Sequence, residues 1–197
     1  MKVQLEKTFP MPGSAEVAWG FLQNIEAVAG CMPGAKITEH LEAGRYKGTV
    51  AVKVGPVTMS FRGEVEMKDV DPAARTLRLL AKGTDTTGSS GASMDLTARI
   101  EAAAGGRCNL VGTSEVSMSG KAAAFGGRMM NSVADQILKQ FADNFAAEIS
   151  ALEAQRTAPA AAGSAPAASP PRELNGLALV WGVFMDWLRG LFSGKKA

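Results

Sequence analysis

Histidine occurs once in this chain of 197 residues, as His40, and cysteine only twice, as Cys31 and Cys108. One imidazole excludes any multi-histidine metal centre. Two cysteines so far apart form no CxxC pair, which speaks against a thiolate zinc site or a local redox motif and fits a reducing compartment. Aromatic residues make up only 6% of the chain and charged ones 20%. With 46% apolar residues and a net charge of +2, the composition is too apolar for a disordered protein. It is also too evenly charged for an obvious nucleic-acid binder. The first residues carry Lys2, Glu6 and Lys7 where a secretory signal needs a greasy stretch, so no signal peptide is expected. The length suits one domain with an appendage.

What is present is unevenly placed. Basic and acidic residues balance up to Arg156, and the positive excess falls after it, where Arg172, Arg189, Lys195 and Lys196 outnumber Glu173 and Asp186. Three parts follow. Residues 1–156 read as a folded domain. Residues 157–171 have neither a charge nor a large apolar side chain, and Pro159, Pro166, Pro170 and Pro171 forbid a continuous helix there. This is a linker, about 45 Å long if extended like polyproline and about 20 Å across as a coil. Residues 172–197 form a greasy tail.

Within the domain, residues 2–9 read as a strand with Val3, Leu5 and Phe9 on one face. Residues 14–31 read as two short helices, with Ser14 as N-cap and Pro33-Gly34 as the stop. From Val57 to Lys68 every odd position is apolar or glycine and every even one polar, the period of a strand with one wet and one buried face. Similar runs before and after it, separated by Gly55-Pro56, Asp71-Pro72 and Gly105-Gly106, predict a meandering antiparallel sheet. Beyond Gly120 the period becomes helical. Phe125, Met129, Val133, Ile137, Phe141, Phe145, Ile149 and Leu152 recur over roughly eight turns. One long helix laid on one concave sheet makes an α+β fold.

The inward set is rich in methionine, a side chain that adapts to irregular shapes and suits a pocket for a flexible apolar guest. For any one of these residues, plain core filling is the simpler reading. Alternation gives the expected cavity lining as Met32, Val52, Val54, Met59, Phe61, Met67, Met94, Leu96 and Met118 from the sheet side. Phe125, Met129 and Val133 are expected to complete it from the helix. Glycines at 48, 63, 112 and 120 leave that space less filled.

Nothing in the pattern points to chemistry inside. His40 sits among Thr38, Glu39 and Glu42 and reads as a solvated surface residue. Cys31 reads as a small buried thiol without a basic partner. The run 83–91 is rich in glycine, serine and threonine but matches no phosphate-binding motif. It reads as a flexible hairpin tip or a rim gating the cavity, with Asp85 and Asp95 unpaired by spacing.

The residues 24–35, which include Cys31-Met32-Pro33-Gly34, together with Tyr46-Lys47-Gly48, resemble the CoxG family of carbon monoxide dehydrogenase proteins. So do Lys53-Val54-Gly55-Pro56-Val57, Phe61-Arg62-Gly63, and Val111-Gly112 leading to Gly120, Gly126 and Arg128. The likeness covers about residues 1–155. That family belongs to the START/Bet v 1-like (SRPBCC) helix-grip superfamily. The resemblance implies a curved seven-stranded antiparallel sheet around the long C-terminal helix, enclosing an apolar ligand tunnel. It also implies an accessory role to molybdenum-containing carbon monoxide dehydrogenase, linking that enzyme to the membrane and its quinone pool. No catalytic motif is transferred, and no metal or covalent cofactor is expected. Since the superfamily also holds cyclases and hydrolases, the fold alone does not decide function.

Taken as a helix, residues 173–193 place Asn175, Gly182, Asp186, Arg189 and Ser193 on one stripe. Leu177, Val180, Trp181, Phe184, Trp187, Leu188, Leu191 and Phe192 take the opposite face. Lys195 and Lys196 follow, each able to meet anionic lipid for about 1 kcal/mol. The apolar stretch is too short for a core that needs about 20 residues. An in-plane helix at the cytoplasmic face of the cell membrane is therefore expected, making the protein peripheral. A tilted span burying Asp186 and Arg189, a docking helix for a partner, and a tail folded back on its own domain are the alternatives. The expected function is a non-enzymatic carrier of an isoprenoid quinone, menaquinone or ubiquinone, serving the dehydrogenase. A cargo-free scaffold recruiting that enzyme is the alternative. An enzyme of the same fold would need an inward acid–base pair, and alternation puts Glu64, Glu66 and Asp95 on the wet face.

Overall fold

The structure is a computed structural model that describes residues 1–157, so the linker and tail helix expected beyond the domain lie outside the described residues. The chain opens with strand β1 (Lys2–Met11) and the helices α1 (Ala15–Leu22) and α2 (Ile25–Cys31). Strands β2 (Ala35–His40), β3 (Arg45–Val54), β4 (Val57–Asp71), β5 (Thr76–Asp85), β6 (Ser90–Ala103) and β7 (Arg107–Gly120) follow. A 3-10 turn (Lys121–Phe125) then leads into the long helix α3 (Gly126–Thr157). All neighbouring strands are antiparallel, in the order β1-β7-β6-β5-β4-β3-β2. The curved seven-stranded sheet and long C-terminal helix expected from the resemblance are both present.

Local chemistry explains the joints. Ser14 Oγ accepts from the Val17 amide at 3.4 Å and caps α1, and Asn24 Oδ1 accepts from the Ala27 amide at 3.1 Å and caps α2. At the β4–β5 turn, Asp71 Oδ1 accepts from the amides of Ala73 and Ala74. The sheet bends where Gly63 lies opposite Gly83. A Cβ at 63 would collide with the Lys82 carbonyl oxygen and lie 2.6 Å from the Gly83 Cα, so the close approach requires glycine. Phe125, expected inside the long helix, instead closes the 3-10 turn. Gly126, at φ 77°, resets the chain direction before α3 begins.

The dry core sits at one end. Met11, Trp19, Leu22 and Ile25 pack with Leu77, Leu79, Ile100, Cys108 and Leu110 of the sheet and with Phe145 and Ile149 of α3. Phe145 is fully buried and meets Phe21 edge-on at 5.0 Å, with Phe141 tilted at 5.7 Å. Asn144 Nδ2 donates to the Cys31 carbonyl at 2.9 Å, tying α2 to the middle of α3. Glu16 and Arg156 join α1 to the end of α3 at 2.9 Å.

Candidate functional site

By strand alternation, the helix-facing row of the sheet runs from this core toward the β3–β4 and β5–β6 hairpin tips. Toward those tips the row changes character. Val52, Met59, Phe61, Met94, Val116 and Met118 keep the inward phase but are only half-buried. A side chain that faces the fold and still meets water is not packed on every side. This apolar row, on the side of the sheet that α3 covers, is the candidate cleft. Three further buried residues, Val54, Ala122 and Met130, lie outside the main core, on β3, on the 3-10 turn and at the start of α3.

Seven of the residues read from the sequence as cavity lining fit the cleft by phase and partial burial: Val52, Met59, Phe61, Met94, Met118, Phe125 and Val133. Met32 is half-buried at the C-cap of α2. Four others are corrected. Val54 is 2% exposed and borders no open space. Met67 and Leu96 are inward but pack against the main core, because β4 and β6 carry them toward the α1 end. Met129 is 44% exposed, whereas its neighbour Met130 is buried. The reason is the pitch of the helix. A spacing of four residues overshoots a full turn by about 40°, so the four steps from Phe145 back to Met129 accumulate about 160°. The inward row of the front half accordingly passes through Met130, Ala134, Ile137 and Leu138.

Two hollows among the described residues lie away from α3. One, of about 570 Å³, lies over the bend of the sheet and is lined largely by the outward residues Arg62, Glu64, Lys82, Thr84, Ser93, Ser117 and Ser119. The other, of about 690 Å³, lies at the β4–β5 turn.

Polar groups near the cleft are few and particular. On β1 and on β4–β7, the helix-facing positions hold two charged residues, Lys7 and Asp85. Lys7 lies between Leu5 and Phe9 and binds Asp135 of α3 at 2.8 Å. Reading β1 for its apolar face passed over it, although the period of two puts Lys7 on that face. Asp85, expected in a flexible tip, is 9% exposed and organises the loop. Its carboxylate accepts from the hydroxyls of Thr87 at 2.7 Å and Ser89 at 3.1 Å, and from the Ser90 amide at 3.0 Å. The Thr87 hydroxyl foremost, with the Ser90 amide and the Ser89 groups, holds the Asp85 carboxyl below its usual range against the opposing effect of desolvation. Ser90 Oγ in turn accepts from the Ala122 amide at 3.0 Å, so this loop anchors the turn that leads into α3.

Elsewhere the groups are structural. Asp95 is paired with Arg78, whose Nε donates to Oδ1 at 2.8 Å, and that hydrogen bond lowers the aspartate's pKa. His40 is exposed and stacks on Tyr46 at 4.5 Å. Cys31 and Cys108 are buried free thiols, pushed up in pKa mainly by desolvation. Among the described residues no group of three or more histidine, cysteine, aspartate or glutamate side chains is placed to hold a metal ion. No helix among them is long and apolar enough to cross a membrane.

Comparison with solved structures places this architecture among START-like proteins. A conserved protein from Geobacillus kaustophilus superposes with a TM-score of 0.69 at 21% identity, over 76% of this chain and 96% of that one. The Zhui aromatase/cyclase from a Streptomyces species gives 0.55 at 18%, over 76% and 94%. A START superfamily protein from Mycobacterium smegmatis gives 0.52 at 18%, over 76% and 98%. At these identities the likeness is one of fold. No curated protein matches the chain in sequence. Residues 8–150, from β1 to the last turns of α3, match the family of the carbon monoxide dehydrogenase CoxG subunit. With most of the domain carrying that family's pattern on a helix-grip fold, the chain belongs to the CoxG family.

Proposed function

We propose that this protein is a non-enzymatic accessory factor of aerobic molybdenum carbon monoxide dehydrogenase that carries an isoprenoid quinone in the cleft between sheet and helix. Family membership supports the accessory role. The observation that carries the cargo is the half-exposed row of inward apolar side chains, Val52, Met59, Phe61, Met94 and Met118, in a protein whose other end packs dry. Leaving such a row against water is unfavourable by about 25 cal/mol per Å², and a hydrocarbon guest removes that cost. A long-tailed quinone has the matching problem, being insoluble in water. Menaquinone and ubiquinone both satisfy the chemistry. The amphipathic tail at 172–197 would hold the carrier at the cytoplasmic face of the membrane, with Trp181 and Trp187 at headgroup level.

Lipid extraction and native mass spectrometry of the purified full chain test the cargo. A bound quinone is expected at up to one per chain, and a preparation free of any lipophile counts against the carrier. Deleting 172–197 should release the protein from vesicles while leaving its thermal transition in place. A cargo-free scaffold recruiting the dehydrogenase is the second reading, since the family membership that supports the accessory role does not by itself require a guest. It predicts that Met59→Ser and Met94→Ser leave quinone reduction by the dehydrogenase unchanged.

A further inference from the structure

We infer that Lys7, with Ser114 beside it, receives the polar head of the guest: a hydrogen-bond-accepting oxygen of the carbonyl or carboxylate kind. The inference rests on the carrier reading and gives its site a chemical selectivity. The register sets the geometry. Lys7 lies directly opposite Gly112, and Leu5 opposite Ser114, so Lys7 and Ser114 are diagonal neighbours on the helix-facing side of β1 and β7. On the far side of β7, Ala98 pairs with Gly112 and Leu96 with Ser114. Gly112 leaves room. A Cβ built there would meet only the Leu96 Cδ1, at an ordinary 3.6 Å, so packing does not demand glycine at this position. An ammonium and a hydroxyl thus stand beside a residue that has no side chain, on the same face of the sheet as Val116 and Met118.

Stability alone does not account for Lys7. Its partner Asp135 is 57% exposed, and ion pairs that wet contribute little to folding. An ammonium carries three donors, and Asp135 engages one at 2.8 Å. The remaining donors suit an oxygen acceptor, and a charge-assisted hydrogen bond in a partly dry site is stronger than a neutral one. A quinone offers a carbonyl and a fatty acid offers a carboxylate. Both put that oxygen on a hydrocarbon tail.

Three probes sharing an apolar chain separate the possibilities in the full-length protein: ubiquinone-2, farnesoic acid and the headless hydrocarbon farnesene. Their affinities are measured by native mass spectrometry for wild type, Lys7→Met and Asp135→Asn. Lys7→Met, which keeps the length and loses the charge, should weaken one or both oxygen-bearing probes at least about tenfold and leave farnesene within about twofold. Loss of ubiquinone-2 alone identifies a carbonyl head, and loss of farnesoic acid alone a carboxylate. Asp135→Asn leaves the ammonium free and should hold or raise affinity for the same probes. If Lys7→Met and Asp135→Asn lower thermal stability alike and shift all three probes alike, Lys7 is a strut between β1 and α3 and the inference is overturned. Equal binding of all probes by Lys7→Met and wild type overturns it too, with the carrier reading intact. A wild type that takes up none of the three removes both.

Discussion

At the tip of the β5–β6 hairpin one carboxylate gathers three donors, and its environment decides how the protein answers acid. Asp85 ionises more readily in the folded chain than at its ordinary value of 3.8. Its contribution to stability is therefore complete above that pH and drains away as the pH falls through the lowered folded value. Asp85→Asn should lower the thermal midpoint at pH 7, and the gap to wild type should close below about pH 4. A gap independent of pH would show that the charge is irrelevant. Spacing could not reveal this role, because Asp85 acts through Ser90 on Ala122, which is remote in sequence and adjacent only after β6 and β7 pair. Of the two buried thiols, Cys31 was legible as one and Cys108 was not. Cys31 and Cys108 should resist a thiol reagent such as DTNB in the native protein and react together on unfolding, since burial keeps both protonated at neutral pH.

At the scale of elements, the strands were the readable part and the helix face the deceptive one. Alternation between Val57 and Lys68 fixes a face because a period of two does not drift. An i, i+4 row does drift, which is why Met129 reads inward and stands outward. Two substitutions measure this. Phe145→Ala should cost about 3–5 kcal/mol by denaturant unfolding, as for a large side chain removed from a closed core. Met129→Ser should lie within about 0.5 kcal/mol of wild type, as at a surface site. Comparable losses would mean that α3 is rotated from the face described. In the sheet, Gly63→Ala forces a methyl onto the Lys82 carbonyl and should destabilise by about 1–3 kcal/mol. Gly112→Ala finds room and should be nearly neutral. The pair separates a glycine needed for the bend from one that leaves space.

Over the whole domain, packing divides the molecule into a dry end and a half-buried apolar end. Amides of α3 should report the division by hydrogen exchange, with residues 131–139 exchanging faster than 142–152. Adding a tightly bound lipophile should slow the first group and leave the second unchanged. Uniform protection along the helix would argue for one continuous core. The same division separates the parts of the functional reading. The dry end, with α1 and α2 packed on α3, makes the scaffold. The other end, with its half-buried methionines and Lys7, is where the proposed guest and its selectivity would belong.

Composition and periodicity by themselves determined the α+β class, the meander of strands and the position of the long helix, because these follow from local repeats of two and about 3.6 residues. The motif blocks around Cys31-Met32-Pro33-Gly34 and Val54-Gly55-Pro56-Val57 pointed to the family. Only the tertiary structure decided which inward residues are dry. Met67 and Met94 share one pattern and one face, yet the first packs on the main core and the second does not. Burial depends on what lies across the gap, and no repeat within a strand carries that information.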